Sequence, residues 1–291
     1  MLRKFLCLGM LALFAVPVQA GVFGSALITT TGMRVQRSTS PTGTFTNVTG
    51  AGLTVVSSTL FAVNTATLNG VDNQQFGSFP VPVPISDTVQ AFITSGAETA
   101  PAENTFAQTV PIPATSAFAR SDTLTTGSLV APGGLNTYSV AEIEAADFSV
   151  GDSVSSSLGS SSIFLTVAQS GYYRLAFDAT IDAVVNSIAP PANRLATAST
   201  ALSIQVNGAT VTLDDPSLVG VSLSGNADTG PLTFTGITTG AVFLSGNTLH
   251  SLSISQLSTA SLAAVPEPGT LLAFAGLFAA GVLHRRRRHL S

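Results

Sequence analysis

The sequence predicts an all-β chain: an antiparallel β-sandwich of jelly-roll type, followed by a short C-terminal transmembrane helix. Three observations point there. Short runs of alternating apolar and polar residues recur between turn-forming residues, with no long helical periodicity between the two ends. Charge is sparse, at 9% of residues, while 70 serines and threonines fill the chain far beyond the usual globular share. The mean hydropathy of +0.46 comes from two terminal apolar segments and from small residues such as Ala and Val. Many half-buried strands joined by turns produce this balance, whereas disorder requires low hydrophobicity and high net charge.

Along the body, residues 53–55 and 60–68 read as strands. Residues 79–84 (FPVPVP) and 110–113 (VPIP) carry proline at alternate positions. Proline donates no ladder hydrogen bond, so these are edge strands or extended loops. Residues 98–104 read as a loop, and residues 140–147 (VAEIEAAD) as one or two helical turns. Ile163, Leu165 and Val167 alternate with polar neighbours up to Gln169-Ser170-Gly171, after which Tyr173, Leu175 and Phe177 resume an apolar face. That pattern predicts a second hairpin beside a clearer one. In the clearer case Leu202, Ile204 and Val206 lead into Asn207-Gly208, and Val211 and Leu213 follow. Asn-Gly tolerates positive φ at both turn positions, which makes it a strong hairpin signal. Residues 252–254 form a closing strand. Either a boundary near residues 131–134 (APGG) divides the body, or one sandwich spans it. A β-solenoid would need a fixed repeat period, and the chain has none.

Between Gly21 and Pro266 the basic residues are Arg34, Arg37, Arg120, Arg174 and Arg194, against fourteen acidic ones, a net of −9. Such a body repels phosphate backbones, so nucleic acid is not an expected partner. The only cysteine, Cys7, lies in the N-terminal apolar run, which leaves the body without disulfides, thiolate nucleophiles or cysteine metal sites. No glycine-rich loop followed by lysine is present to cradle a phosphate, and no cofactor is expected.

The two ends are the most informative segments. Arg3 and Lys4 precede an apolar run over residues 5–16, and Val18-Gln19-Ala20 places small residues at −3 and −1. This is the pattern of a secretory signal peptide over residues 1–20, cut by signal peptidase after Ala20. The β-rich body then spans residues 21–262 and the tail residues 263–291. In the tail, Val265-Pro266-Glu267-Pro268-Gly269 leads into the apolar residues 270–283, and Arg285, Arg286, Arg287 and Arg288 follow. A helix from Gly269 to Leu283 reaches only about 22 Å, short of a hydrocarbon core of about 30 Å. Snorkelling arginines or local thinning must close the gap, and the arginines hold the C-terminus in the cytoplasm with the body outside.

These residues resemble the PEP-CTERM sorting signal. The tripeptide Pro266-Glu267-Pro268, the apolar helix and the cluster Arg285–Arg288 match it in kind, order and spacing. The resemblance implies cleavage near the tripeptide by an exosortase, a membrane-embedded cysteine protease. It also implies transient anchoring in the inner membrane of a Gram-negative-type, exopolysaccharide-producing bacterium, then release to the cell surface or matrix.

Within the body, catalytic residue types are scarce. His250 is the sole histidine there, at the start of a strand, and no Gly-x-Ser-x-Gly elbow organises a serine nucleophile. Carboxylates cluster at Asp178 with Asp182, at Asp214 with Asp215, and at Glu142, Glu144 and Asp147. Two carboxyls at a defined separation would make a glycoside hydrolase; Asp214 and Asp215 are the candidates for calcium. There is no tryptophan, and the tyrosines are Tyr138, Tyr172 and Tyr173. Consecutive strand residues face opposite ways, and Tyr173 shares the apolar face with Leu175 and Phe177. Tyr172 is thereby left as the ring available to stack on a sugar. The expected function is a non-catalytic structural or matrix-associated role, in contact with exopolysaccharide or with copies of itself. The alternative is a polysaccharide-active enzyme using rim carboxylates.

Overall fold

The computed structural model describes residues 22–80, 90–94, 102, 104–107, 117–145, 153–187 and 194–264. Residues 1–21 with Ala20, residues 265–291, residues 81–84, 98–101, 103 and 110–113, and Asp147 lie outside the described residues. The described chain is all-β and antiparallel. Its strands are β1 (Val22–Ser38), β2 (Thr46–Asn47), β3 (Leu53–Leu68), β4 (Val71–Pro80), β5 (Ala91–Thr94), β6 (Phe118–Gly127), β7 (Leu135–Ala145) and β8 (Ser153–Val167). There follow β9 (Gly171–Ser187), β10 (Arg194–Val206), β11 (Ala209–Thr210), β12 (Gly220–Ser224), β13 (Ala227–Asp228), β14 (Leu232–Thr238), β15 (Val242–Leu244) and β16 (Leu249–Ala264). One 3-10 turn, Pro216–Val219, precedes β12. Among the described residues no helix is long and apolar enough to cross a membrane.

The strands form two sheets. The first runs β13-β9-β1-β7-β6-β5, with β14 and β15 also on β9 and β2 on β1. The second runs β11-β10-β16-β8-β3-β4, with β12 also on β10. The Asn207-Gly208 hairpin joins β10 to β11 with φ of 52° and 80°, as its sequence requires. Asn69-Gly70 does the same between β3 and β4, with φ of 53° and 74°. Residues 53–55 and 60–68 are two parts of β3, with a register shift between Val55 and Ser57. The segment 131–134 lies in the turn of the β6–β7 hairpin, inside one sheet.

Two expectations fail. Residues 140–145 are strand rather than helix. The ladder fixes them from both sides, since Glu142 faces Ser25 of β1 and Arg120 of β6. Alternate residues Ala141, Ile143 and Ala145 enter the core, so tertiary pairing overrides the helix-favouring Ala and Glu. Nor are β8 and β9 a hairpin. β8 lies between β3 and β16 in the second sheet, and β9 beside β1 in the first. The short link turns a corner between sheets, so Leu165 and Leu175 meet across one core rather than side by side. Hydrogen bonds from Ala168 N to Gly52 O (3.0 Å) and from Asn247 N to Val167 O (2.7 Å) pin that corner.

The interior changes character along its length. One end is filled by large side chains, among them Ile28, Met33, Leu165, Phe177, Ile181 and Ile254. The other is lined by small ones: Ala66, Ser155, Ala260 and Ala198 form one row across four strands. There the sheets approach closely enough for side-chain hydroxyls of one to reach main-chain carbonyls of the other. Ser157 Oγ donates to Asp122 O (2.7 Å), Ser139 Oγ to Ser157 O and Ser258 Oγ to Ser139 O (both 3.0 Å), and Ser155 Oγ to Arg120 O. Sheets faced with larger residues stand about 10 Å apart. Gly159 belongs to this zone, because a Cβ there would lie 2.8 Å from Thr123 Cγ2.

Ser157→Ala is expected to cost about 1–3 kcal/mol despite its greater hydrophobicity, because buried partners lose their hydrogen bonds. Ile254→Ala at the large-residue end is expected to cost about 2–5 kcal/mol. Urea unfolding of both variants checks this; a Ser157→Ala protein as stable as its parent would mean the hydroxyls only fill space.

Candidate functional site

β9 leaves the large-residue end of the core at Gly171, and its even-numbered residues point outward while Tyr173, Leu175 and Phe177 are buried. Tyr172 therefore sits on the outer face of the first sheet. Pairing with β15 sets Phe243 directly beside it, edge to face, with ring centroids 5.5 Å apart at 71°. Phe243 is 55% exposed. Two residues on, Arg174 lies opposite Gln36 of β1 and donates from Nε to Gln36 Oε1 (2.9 Å). Its guanidinium stacks over Phe45 at 4.2 Å, and Nη1 reaches Thr238 Oγ1 at 3.5 Å. Those two bonds engage only part of a five-donor fork. Gln36 Nε2 in turn donates to Asn47 Oδ1 (3.1 Å).

Around the rim from this platform lies a polar cleft of ≈ 340 Å³, lined by Arg37, Thr46, Asn47, Thr49, Gln169 and Tyr173 among others. Asn47 belongs to both. The volume is in the range of small-ligand sites. A neighbouring apolar slot beside His250 holds only ≈ 30 Å³, room for little more than water. Arg37 donates from Nη2 to Ser170 O (2.8 Å), and the Tyr173 hydroxyl donates to Gln169 O (2.5 Å). Burial raises the Tyr173 phenol above the ordinary tyrosine value, and the Arg37 cation and its hydrogen bond offset part of that rise. The partly exposed Tyr172, the exposed Phe243, a planar guanidinium and two amides form a surface whose groups can stack on C–H faces and bond hydroxyls or carboxylates.

The other candidates are placed differently. Asp214 accepts from Thr238 N (2.9 Å) with Oδ1 and from Thr238 Oγ1 (3.0 Å) with Oδ2, which clamps the end of β14. Asp215 caps the 3-10 turn, accepting from Ser217 N (3.0 Å). Asp178 accepts from Gly236 N (2.7 Å) at the bulge of β14. Asp178 and Asp182 share a face four residues apart, about 13 Å between their Cα positions along the strand. Glu142 is sealed inside: Arg120 Nε lies 3.5 Å from its Oε2, with the two side chains 1% and 0% exposed. Ser25 Oγ donates to its Oε1 (3.3 Å), and Glu144 beside it is 1% exposed. Tyr138 is stacked by Phe106 at 5.2 Å. His250 is held at both ring nitrogens, Nδ1 against Asn207 Nδ2 (3.2 Å) and Nε2 against Ser245 O (3.0 Å). Among the described residues no three His, Cys, Asp or Glu side chains converge on a metal position.

Of the predicted candidates among the described residues, Tyr172 lies beside the exposed Phe243 and on the same outer face as Arg174. Its partners Phe243, Arg174, Phe45 and Gln36 carry no sequence motif; the one available hint was that Arg174 shares the outward parity of Tyr172. Comparison with protein-family models, curated proteins and solved structures finds no match to this chain.

Because folding raises the Tyr173 pKa, the native state holds that proton more tightly than the unfolded chain does. Its contribution to stability is intact below the unfolded value of 10.0 and is lost as pH rises through the folded one. Urea unfolding followed from pH 8 to pH 11 is expected to show stability falling at the alkaline end. Tyr173→Phe should flatten that limb.

Proposed function

We propose that this chain is an exported, exosortase-processed surface or matrix protein, with a jelly-roll-like sandwich as its ectodomain, that binds exopolysaccharide without catalysis. The paired terminal signals support the route: a leader ending at Ala20, and a tail with Pro266-Glu267-Pro268, a marginal membrane helix over residues 270–283 and the Arg285–Arg288 stop. The observation that carries the binding reading is the platform of Tyr172, Phe243 and Arg174 beside a ≈ 340 Å³ polar cleft. Three of the five body arginines, Arg34, Arg37 and Arg174, lie on or beside the end of β1 and its partner β9. An acidic sugar therefore meets less repulsion at this corner than elsewhere on a body of net −9. The carboxylates favour binding over hydrolysis, since Asp178, Asp214 and Asp215 accept backbone N–H groups and Glu142 and Glu144 are closed to solvent.

Two measurements test this reading. In a strain with the exosortase, mass spectrometry of the secreted protein should find the C-terminus shortened near Pro266 to Pro268, with the tail intact in a strain lacking the enzyme. An intact tail in both rejects the sorting. On immobilised exopolysaccharide, Tyr172→Ala with Phe243→Ala should weaken retention roughly tenfold, at about 0.5–1.5 kcal/mol per ring. Unchanged retention would remove the platform from the reading.

A further inference from the structure

We infer that the outer face of the second sheet is a self-association surface, and that its occupant is the same face of a second copy of this chain. β4, β3, β8, β16 and β10 lie in continuous register, so outward side chains form rows across all five strands. The central row is apolar throughout: Phe76, Val63, Leu158, Leu257 and Ala201. The rows flanking it on β8 and β16 present Ser160 and Ser255 on one side, Ser156 and Thr259 on the other. Phe76 is 64% exposed and Phe61, in the flanking row, 46%. Across the five rows from Thr59 to Thr67, the only charged outward residue is Asp72, at a corner. The outer face of the first sheet, by contrast, carries Arg34, Arg174, Asp178 and Asp182.

Charge selects the occupant. A body of net −9 repels its own copies wherever charge is displayed, and this face is where two of them can meet without opposing like charges. A strongly basic or acidic partner would find only Asp72 here, at a corner. The face is built from the parallel rows of an extended sheet, which suits another sheet with the same spacing of rows rather than a single inserted helix. Its size is also sufficient. Five strands about 4.8 Å apart and nine residues at about 3.3 Å each enclose roughly 700 Å² in projection, near the ~800 Å² per partner of a stable interface. Self-packing makes the contact isologous. Leu158 stands in the middle row of the middle strand, so residue 158 of one copy falls close to residue 158 of the other. This rests on the surface or matrix location proposed above and names a partner for it, while its geometry is independent of the saccharide platform.

The cysteine-free body makes the test direct. In the full-length chain carrying Cys7→Ser, Leu158→Cys introduces the only thiol. Mild oxidation is expected to yield a disulfide-linked dimer, while Thr233→Cys, at an exposed position of β14 in the first sheet, stays monomeric. Adding Ser160→Asp, or separately Ser255→Asp, should lower the Leu158→Cys dimer yield by at least about tenfold through like-charge opposition. A folded Leu158→Cys chain that remains monomeric, equal dimer from Thr233→Cys, or dimer undiminished by both aspartates would overturn the inference. So would protection of the Leu158→Cys thiol by exopolysaccharide without any dimer, which would assign the face to the polymer instead. Dimers that form without retention on exopolysaccharide would uphold this surface and sink the saccharide reading.

Discussion

The distance between the two sheets is set at one end by hydroxyl groups that bond across the gap to main-chain carbonyls. Ser157, Ser139 and Ser258 pass hydrogen bonds back and forth between β6, β7, β8 and β16. A hydroxyl on a one-carbon stem reaches a facing carbonyl only when the backbones are close, so the bonds and the short spacing require each other. Alanine and glycine in the neighbouring positions, such as Ala198, Ala260 and Gly159, are what remain when no larger side chain fits. Ser139, Ser155, Ser157 and Ser258 each find a partner across the interlayer, so a serine-rich strand can form a core with these hydroxyls satisfied.

The opposite end must accommodate leucine, isoleucine, methionine and phenylalanine, so the layers cannot close to the same spacing there. The β8–β9 corner and the β1–β2 extension form the rim of that wider end, and the polar cleft opens between them. Phe243, Tyr172 and Arg174 stand on the outer face of the same rim because β15 and β1 flank the start of β9. The acidic residues that attract attention in the sequence, Asp178, Asp214 and Asp215, instead hold β14 and the 3-10 turn in place.

Charge is distributed with the same economy. Arg34, Arg37 and Arg174 gather at the wide end, Arg120 is buried against Glu142 on the first sheet, and the second sheet's outer face is nearly free of charge. A low charge content therefore does not mean an even surface: the few cations gather at one corner, and one face is left almost without charge.

Period-two alternation in the sequence determined much of the strand content and the identity of the apolar faces, because every second residue of a strand must point the same way. It determined the Asn207-Gly208 hairpin through the backbone those residues tolerate, and it singled out Tyr172 by the parity it does not share with Tyr173. It could not show that the link at Gln169-Ser170 crosses between sheets, since a corner and a hairpin present the same alternation. Nor could it tell that residues 140–145 join a ladder, because their local preference for helix is overruled by partners more than a hundred residues away, at Ser25. The neighbours of Tyr172 were decided by tertiary structure alone: pairing across antiparallel ladders brings residues 36, 45, 172, 174 and 243 together, and no local rule connects positions so far apart along the chain.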